Sequence, residues 1–181
     1  MKALIAIDYT NDFIADTGAL TLGKVGQRIE KPVVDVTSAF IDRGDFVVFA
    51  IDNHDETDHF HPENKLYPPH NLVGSSGQQL FGSLQSLYQK NQANKSIYYL
   101  PKRRYSAFCG TDLDVRLRER EIKEIHLSGV CTDICVLHTA IEAYNLGYSI
   151  AIHQKAVASF DPIGHNWALS HMEKTLGAKI V

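Results

Sequence analysis

Asp8, Lys102 and Cys135 are a carboxylate, an ammonium and a thiol, the group types that supply a proton acceptor, a charge stabiliser and a cysteine nucleophile. Each stands at or just beyond the end of a short apolar run, at 3–7, 97–100 and 125–130. After the last of these runs Thr132 reads as a helix N-cap, which sets Cys135 in the first helical turn. The positive end of a helix dipole and a nearby Lys102 would favour the thiolate, the reactive form. The N–H groups of the same turn could hold a developing oxyanion, where one donor is worth about 3 kcal/mol of barrier. A lone cysteine is more often a small buried hydrophobe, and that is the reading for Cys109, while Cys131 serves for its backbone. Taken singly, Asp8 would be a turn cap and Lys102 a solvated charge in the run 102–104. Their convergence on Cys135 is what carries the chemistry.

A second constellation is richer in nitrogen. Of nine histidines, His54, His59, His61 and His70 fall within residues 54–70, where an even spread would place about one. Asp52 and His54 stand two apart at a strand end, so they point to one side. His70, behind the stiff pair Pro68-Pro69, adds a third ligand, and imidazole with carboxylate suits Zn, Mn or Fe. Three protein ligands with positions open to water is the pattern of a catalytic metal. For the fourth ligand Glu63 and His59 stand level, with His61 behind them. The stretch lacks periodicity, and a long aperiodic stretch inside a domain is usually functional. Tyr67 within it, and Phe13 after the first apolar run, could sandwich a planar ligand.

These residues need a scaffold that brings them to one place. β-branched runs at 3–7, 46–51, 97–100, 125–130, 149–152 and 178–181 read as strands. Their near-continuous apolar character suggests burial on both faces. Helical patterns lie between them at 26–43, 78–90, 113–121, 133–146 and 162–176, with Gly44, Gly147 and Gly177 where helices would stop. Alternation of this kind predicts an α/β fold, a doubly wound, mainly parallel six-stranded sheet covered by helices on both sides. Ligands of such sheets bind beyond the carboxyl ends of the strands, where Asp8, Asp52, Lys102 and Cys135 all fall.

At about 150 residues per domain, 181 residues predict a single domain spanning 1–181. Eighteen basic against twenty-one acidic residues leave a net charge of −3, no field for a phosphate backbone, so nucleic acid is not expected as a partner. No run approaches the roughly 18 apolar residues of a membrane span, and the first residues are too short an apolar stretch for a signal peptide. Three cysteines, two of them four apart, argue for free thiols in a reducing cytoplasm. His126, His138, His153, His165 and His171 receive no functional role. A homo-oligomer is possible.

The motifs Leu4-Ile5-Ala6-Ile7-Asp8 with Asn11-Asp12-Phe13, Ile51-Asp52-Asn53-His54, Tyr67-Pro68-Pro69-His70, Lys102 with Tyr105-Ser106-Ala107-Phe108, and Ser128-Gly129-Val130-Cys131-Thr132-Asp133-Ile134-Cys135 stand in this order along the chain. Five such motifs in register resemble the isochorismatase-like cysteine hydrolase family, and within it the nicotinamidase/pyrazinamidase group. The resemblance implies Asp8, Lys102 and Cys135 as a catalytic triad and one divalent metal, zinc first and manganese or iron next, on Asp52, His54, His70 and a fourth group, for which it favours Glu63. It also implies a non-proline cis peptide at Val130-Cys131, an oxyanion hole from the Cys131 and Cys135 N–H groups, and Phe13, Tyr67 and Tyr105 around the substrate. Tyr67 stands where many members carry tryptophan, and Asn71 where many carry cysteine. The activity implied is hydrolysis of nicotinamide, and of pyrazinamide, through a thioester, in NAD salvage. Another amidase of the family, or a non-catalytic ligand-binding homologue, is the competing expectation.

Overall fold

The computed structural model describes residues 1–181 and contains six strands: β1 (Ala3–Ile7), β2 (Phe46–Asp52), β3 (Ile97–Lys102), β4 (Glu124–Val130), β5 (Ser149–Ala158) and β6 (Lys179–Ile180). All pair in parallel, in the order β3-β2-β1-β4-β5-β6. The chain winds outward from β1 in one direction, then returns to β4 and winds outward in the other. The order reverses between β1 and β4, so the crevice beyond their carboxyl ends is the place for a ligand.

Period-two alternation sorts the side chains of the central strands onto two faces. Ala3, Ile5 and Ile7 of β1 and Phe46, Val48 and Ala50 of β2 join one buried cluster, which also takes in α5 (Leu113–Glu119), α6 (Leu137–Asn145) and α7 (Pro162–Leu176) through Leu117, Ala140 and Met172. Leu4, Ala6, Val47, Phe49 and Ile51 face the other way, onto α1 (Asn11–Ile14), α3 (Glu30–Asp42) and α4 (Gly82–Asn91) through Ile14, Val33 and Leu84. Each large side chain removed from water in these layers contributes about 1.5–3 kcal/mol. The doubly wound sheet expected from the sequence is therefore the one observed, and the strand starts and carboxyl ends that matter to the site fall at or within two residues of their expected places.

The departures have local causes. The helix expected over 26–43 divides into α2 (Lys24–Gln27) and α3. Pro32 has no N–H to give to the carbonyl of Arg28, so it fits the first turn of a new helix and cannot continue an old one. Residues 78–81 are not helical: Leu80 bridges Thr10, and the Phe81 N–H donates to the Tyr9 carbonyl at 3.0 Å, which delays α4 to Gly82. β5 runs six residues past its expected end, from 152 to Ala158, with a register shift opposite Leu127 and Gly129. Its polar middle, His153-Gln154-Lys155, hid the continuation. Gly44, Gly147 and Gly177 end their helices with φ of 71°, 83° and 65°, the conformation glycine adopts without cost.

Candidate active site and metal centre

Asp8 leaves the end of β1 with φ 52°, so its carboxylate turns back across the strand ends. Its Oδ1 accepts from the Asp52 N–H at 2.8 Å. Lys102 ends β3 in register with Asp52. Its Nζ lies 2.8 Å from Asp8 Oδ2, donates to Asp52 Oδ1 and to the Arg104 carbonyl at 3.2 Å, and reaches to 3.7 Å from Cys135 Sγ. Cys135 Sγ and one carboxylate oxygen each from Asp8 and Asp52 lie within 4.8 Å of one another. None of Asp8, Asp52, Lys102 or Cys135 is more than 4% exposed. Asp8 Oδ2 accepts no hydrogen bond, so its 2.8 Å contact with Lys102 Nζ is an ion pair.

Burial dominates the electrostatics of this group. It raises Asp8 to about 7, with the charge of Asp52 pushing the same way and Lys102 and Cys135 pulling back. Burial acts against the Lys102 charge, but Asp52 and Asp8 overrule it and hold the ammonium well above its usual range. Burial also raises the Cys135 thiol, and Lys102 only partly offsets this. The pull toward the thiolate expected from the turn and Lys102 is opposed here: two carboxylates stand beside one ammonium, and burial pushes the thiol up.

The turn that carries Cys135 also differs from expectation. Thr132–Val136 is a π-helical turn, and Cys131 occupies its N-cap position; Thr132 does not cap it. The Thr132 hydroxyl instead lies 2.8 Å from His165 Nδ1 on α7, and Ser159, just past the end of β5, donates to Asp133, so two side-chain links tie the turn to α7 and the segment before it. The Val130-Cys131 peptide is cis. Just before it, Gly129 has φ 106°, and a Cβ there would stand 1.9 Å from the Ile7 carbonyl oxygen. Only glycine lets β4 lie this close to β1. Cys109, read as buried, is exposed, and no disulfide forms.

Asp52, His54, Glu63 and His70 form a second buried group whose ligand atoms lie within 4.8 Å of one another. Asp52 ends β2. The His54 N–H donates to the Asn71 carbonyl at 3.1 Å, and the Asn71 N–H donates to Asp12 Oδ2 at 2.7 Å, which fixes the loop around His70. Asn71 has φ 45°, which asparagine tolerates better than most residues. Glu63 sits in the 3-10 turn Pro62–Lys65.

His70 Nδ1 is 2.8 Å from the Pro68 carbonyl, which can only accept, so Nδ1 carries the proton and Nε2 presents its lone pair. The Nε2 atoms of His54 and His70 are buried and have no hydrogen-bond partner. His70 Nε2 lies 3.7 Å from Glu63 Oε2 and 4.0 Å from Asp52 Oδ2, and His54 Nε2 lies 3.9 Å from Glu63 Oε1, all too long for hydrogen bonds. Burial lowers His54 to about 4, so that ring is neutral at pH 7, and burial together with Asp52 raises Glu63 to about 8. Two lone-pair nitrogens and two carboxylates facing one point form a donor set that fits Zn, Mn or Fe. Of the candidates for a fourth group, Glu63 is the one whose carboxylate lies with Asp52, His54 and His70. His61 spends both nitrogens elsewhere, one on the Arg103 carbonyl at 2.8 Å and one accepting from the Glu63 N–H, and His59 lies outside the group.

A narrow pocket runs between the two groups. Phe13, Tyr67 and Tyr105 line it, together with Asp52, Glu63, His70, Cys131 and Cys135. Phe13 and Tyr67 both stand edge-on to the His70 ring, at 5.4 and 6.1 Å. Leu20, Ile134 and Phe160 complete the walls and were not anticipated. Ile134 lies in the nucleophile turn next to Cys135, a signal the sequence offered. Leu20 and Phe160 come from loops with no chemical signature. His138, given no role, packs against Tyr105 at 5.3 Å.

Residues 2–181 match the isochorismatase domain. Among solved structures the chain is similar to the nicotinamidase/pyrazinamidase PncA of Bacillus subtilis, with 58% identity over all of both chains and a TM-score of 0.98. It is similar to the pyrazinamidase/nicotinamidase of Streptococcus mutans UA159, with 56% identity over all of both chains and a TM-score of 0.98. A more distant relative is the pyrazinamidase of Pyrococcus horikoshii solved in complex with zinc, at 28% identity over 99% of this chain and 98% of that one, with a TM-score of 0.84. The chain belongs to the isochorismatase family.

Proposed function

We propose that the protein is a nicotinamidase, a metal-dependent cysteine amidohydrolase that converts nicotinamide to nicotinate and ammonia and accepts pyrazinamide. One observation carries the reading: Cys135, which lies beside the Asp8 carboxylate, and three of the four metal-type ligands, Asp52, Glu63 and His70, line one narrow aromatic pocket. The high similarity to nicotinamidases and pyrazinamidases supports it. Asp52, His54, Glu63 and His70 would hold a divalent cation, zinc by preference and manganese or iron as alternatives, which would supply a Lewis-acid anchor for the pyridine ring nitrogen.

The side chains then divide the work. Phe13, Tyr67 and Tyr105 enclose the ring and exclude water. Asp8, raised to about 7, is matched to proton transfer near neutral pH and takes the thiol proton as the sulfur bonds to the amide carbon. The Cys131 and Cys135 N–H groups hold the oxyanion. Asp8 returns its proton to the amide nitrogen as the C–N bond breaks, and ammonia departs, leaving a thioester on Cys135. Asp8 next removes a proton from water as the water oxygen bonds to the acyl carbon. The C–S bond breaks, nicotinate leaves, and the proton on Asp8 returns to the sulfur. Lys102 stays cationic throughout, balancing Asp8 and Asp52 and facing the sulfur. We place this reaction in pyridine nucleotide salvage in the cytoplasm, where the three free thiols stay reduced.

A coupled ammonia assay on nicotinamide tests the proposal. The native protein should release ammonia and Cys135→Ala should release none, with equal metal content in both. Full activity in the variant would reject the nucleophile, and silence from both would leave a binding protein.

A further inference from the structure

Two cavities meet at the Asp52, His54, Glu63 and His70 quartet, and they are chemical opposites. The pocket toward Cys135 has a volume of about 10 Å³, room for about one water molecule, and most of its walls are apolar. The chamber on the other side measures about 210 Å³ and is lined by His54, Glu63 and His70, then outward by Asp55, Glu56 and His59. No lysine or arginine lines it. The rings with unpartnered Nε2 atoms, His54 and His70, both border this chamber, while only His70 borders the apolar pocket.

A divalent cation arrives from solution as a hydrated ion and must exchange those waters for protein ligands as it enters. A shell of several waters finds hydrogen-bond partners along the polar chamber, whereas the mostly apolar walls of the pocket suit a planar organic ring and offer a hydrated ion little. Asp55 is already engaged by the Thr57 N–H and hydroxyl. Glu56 and His59 are exposed, and neither side chain makes a hydrogen bond to the protein. An outer carboxylate and imidazole in these positions can replace the first waters before the buried ligands replace the rest.

We propose that the polar chamber is the port through which the cation enters and leaves, with Glu56 and His59 as its outer capture pair. Metal and substrate therefore use opposite doors. This rests on the reading of the quartet as a metal centre, and it gives His59, which lies outside that quartet, a use.

The test follows zinc uptake by the metal-stripped protein, and zinc release to a chelator, with a fluorescent zinc indicator in a stopped-flow instrument. Equilibrium zinc content is measured first. In the Glu56→Gln/His59→Ala double variant, uptake should slow by about tenfold at low ionic strength, and its salt dependence should flatten, with the equilibrium content unchanged. Leu72→Trp, which narrows the chamber, should slow uptake and release alike. Leu20→Trp, which plugs the apolar pocket, should leave both within about twofold of the native rates, because the effective path does not pass there. Slow exchange in Leu20→Trp with native rates in the chamber variants would overturn the port. A native protein that takes up no zinc at equilibrium would instead overturn the metal centre itself, before any rate is compared.

Discussion

The protonation of Cys135 changes what its neighbours must do. A thiol held protonated by burial attacks only if its proton can leave in the same step, so Asp8 is indispensable rather than supportive. Asp8→Asn keeps the shape and tolerates φ 52°, yet cannot accept a proton. It should lower kcat by roughly 10²–10⁴-fold in the ammonia assay with little change in melting temperature. A loss below tenfold would move the base elsewhere. The quartet makes a different contribution. If it anchors the ring nitrogen with at least the strength of a charge-assisted hydrogen bond, roughly 1.5–3 kcal/mol, removing the metal should raise KM by about ten- to a hundredfold. An unchanged KM in the stripped enzyme would place the ring nitrogen away from the quartet. The residues of both groups were legible in the sequence because acids, imidazoles, an ammonium and a thiol stood at the ends of apolar runs. Their protonation was not, since it depends on how many charges share one buried volume. Leu20 and Phe160 were invisible for a simpler reason: an apolar side chain on a loop looks the same whether it lines a pocket or covers a core.

Among the elements, the contact of β4 with β1 sets the tolerance of the whole site. Gly129 pairs with Ile7, one residue before Asp8 and six before Cys135. Gly129→Ala would drive a methyl group into the Ile7 carbonyl and force a left-handed φ on alanine. The strain should cost about 3 kcal/mol or more, seen as a lower denaturant midpoint, and activity should fall further than stability does. An active variant of native stability would show that the strands can part there without harm. The strands themselves were readable as β-branched runs, and α7 was readable to the residue from Pro162 and Gly177. The π-helical turn was not, because the same residues fit an α-helix and the difference lies in where α7 and the segment before it hold Thr132 and Asp133. The split between α2 and α3 was legible through Pro32, but the apolar periodicity running across it concealed the break.

For the molecule as a whole, a polar cluster far from the site sets a response to acid. His126 Nδ1 lies 3.0 Å from His153 Nε2, and His126 Nε2 lies 3.0 Å from Glu124 Oε1, which also pairs with Lys2. Both rings stand edge-on to Phe40, over which Arg43 lies. Burial, then His126 and Arg43, lowers His153 to about 4, and burial lowers His126 as well. A base with a depressed folded pKa lets the unfolded chain take up protons first. Its stabilising contribution is complete above about 6.5, declines as the pH falls toward 4, and is exhausted below. The raised carboxyls of Asp8 and Glu63 act with opposite sign, so the difference between native protein and His153→Gln is the proper measure. The native melting temperature should drop more steeply between pH 6.5 and 4 than that of the variant; parallel curves would show the pair to be neutral to folding.

The reversal of strand order between β1 and β4 also divides the reaction's equipment unequally. The four candidate cation ligands, together with Asp8 and Lys102, come from the first 102 residues, whereas Cys135 and the whole turn that carries it arrive from the later segment. During synthesis the emerging chain thus acquires all the parts for holding an ion before it owns anything able to cut an amide. Reactivity is the last property to be assembled.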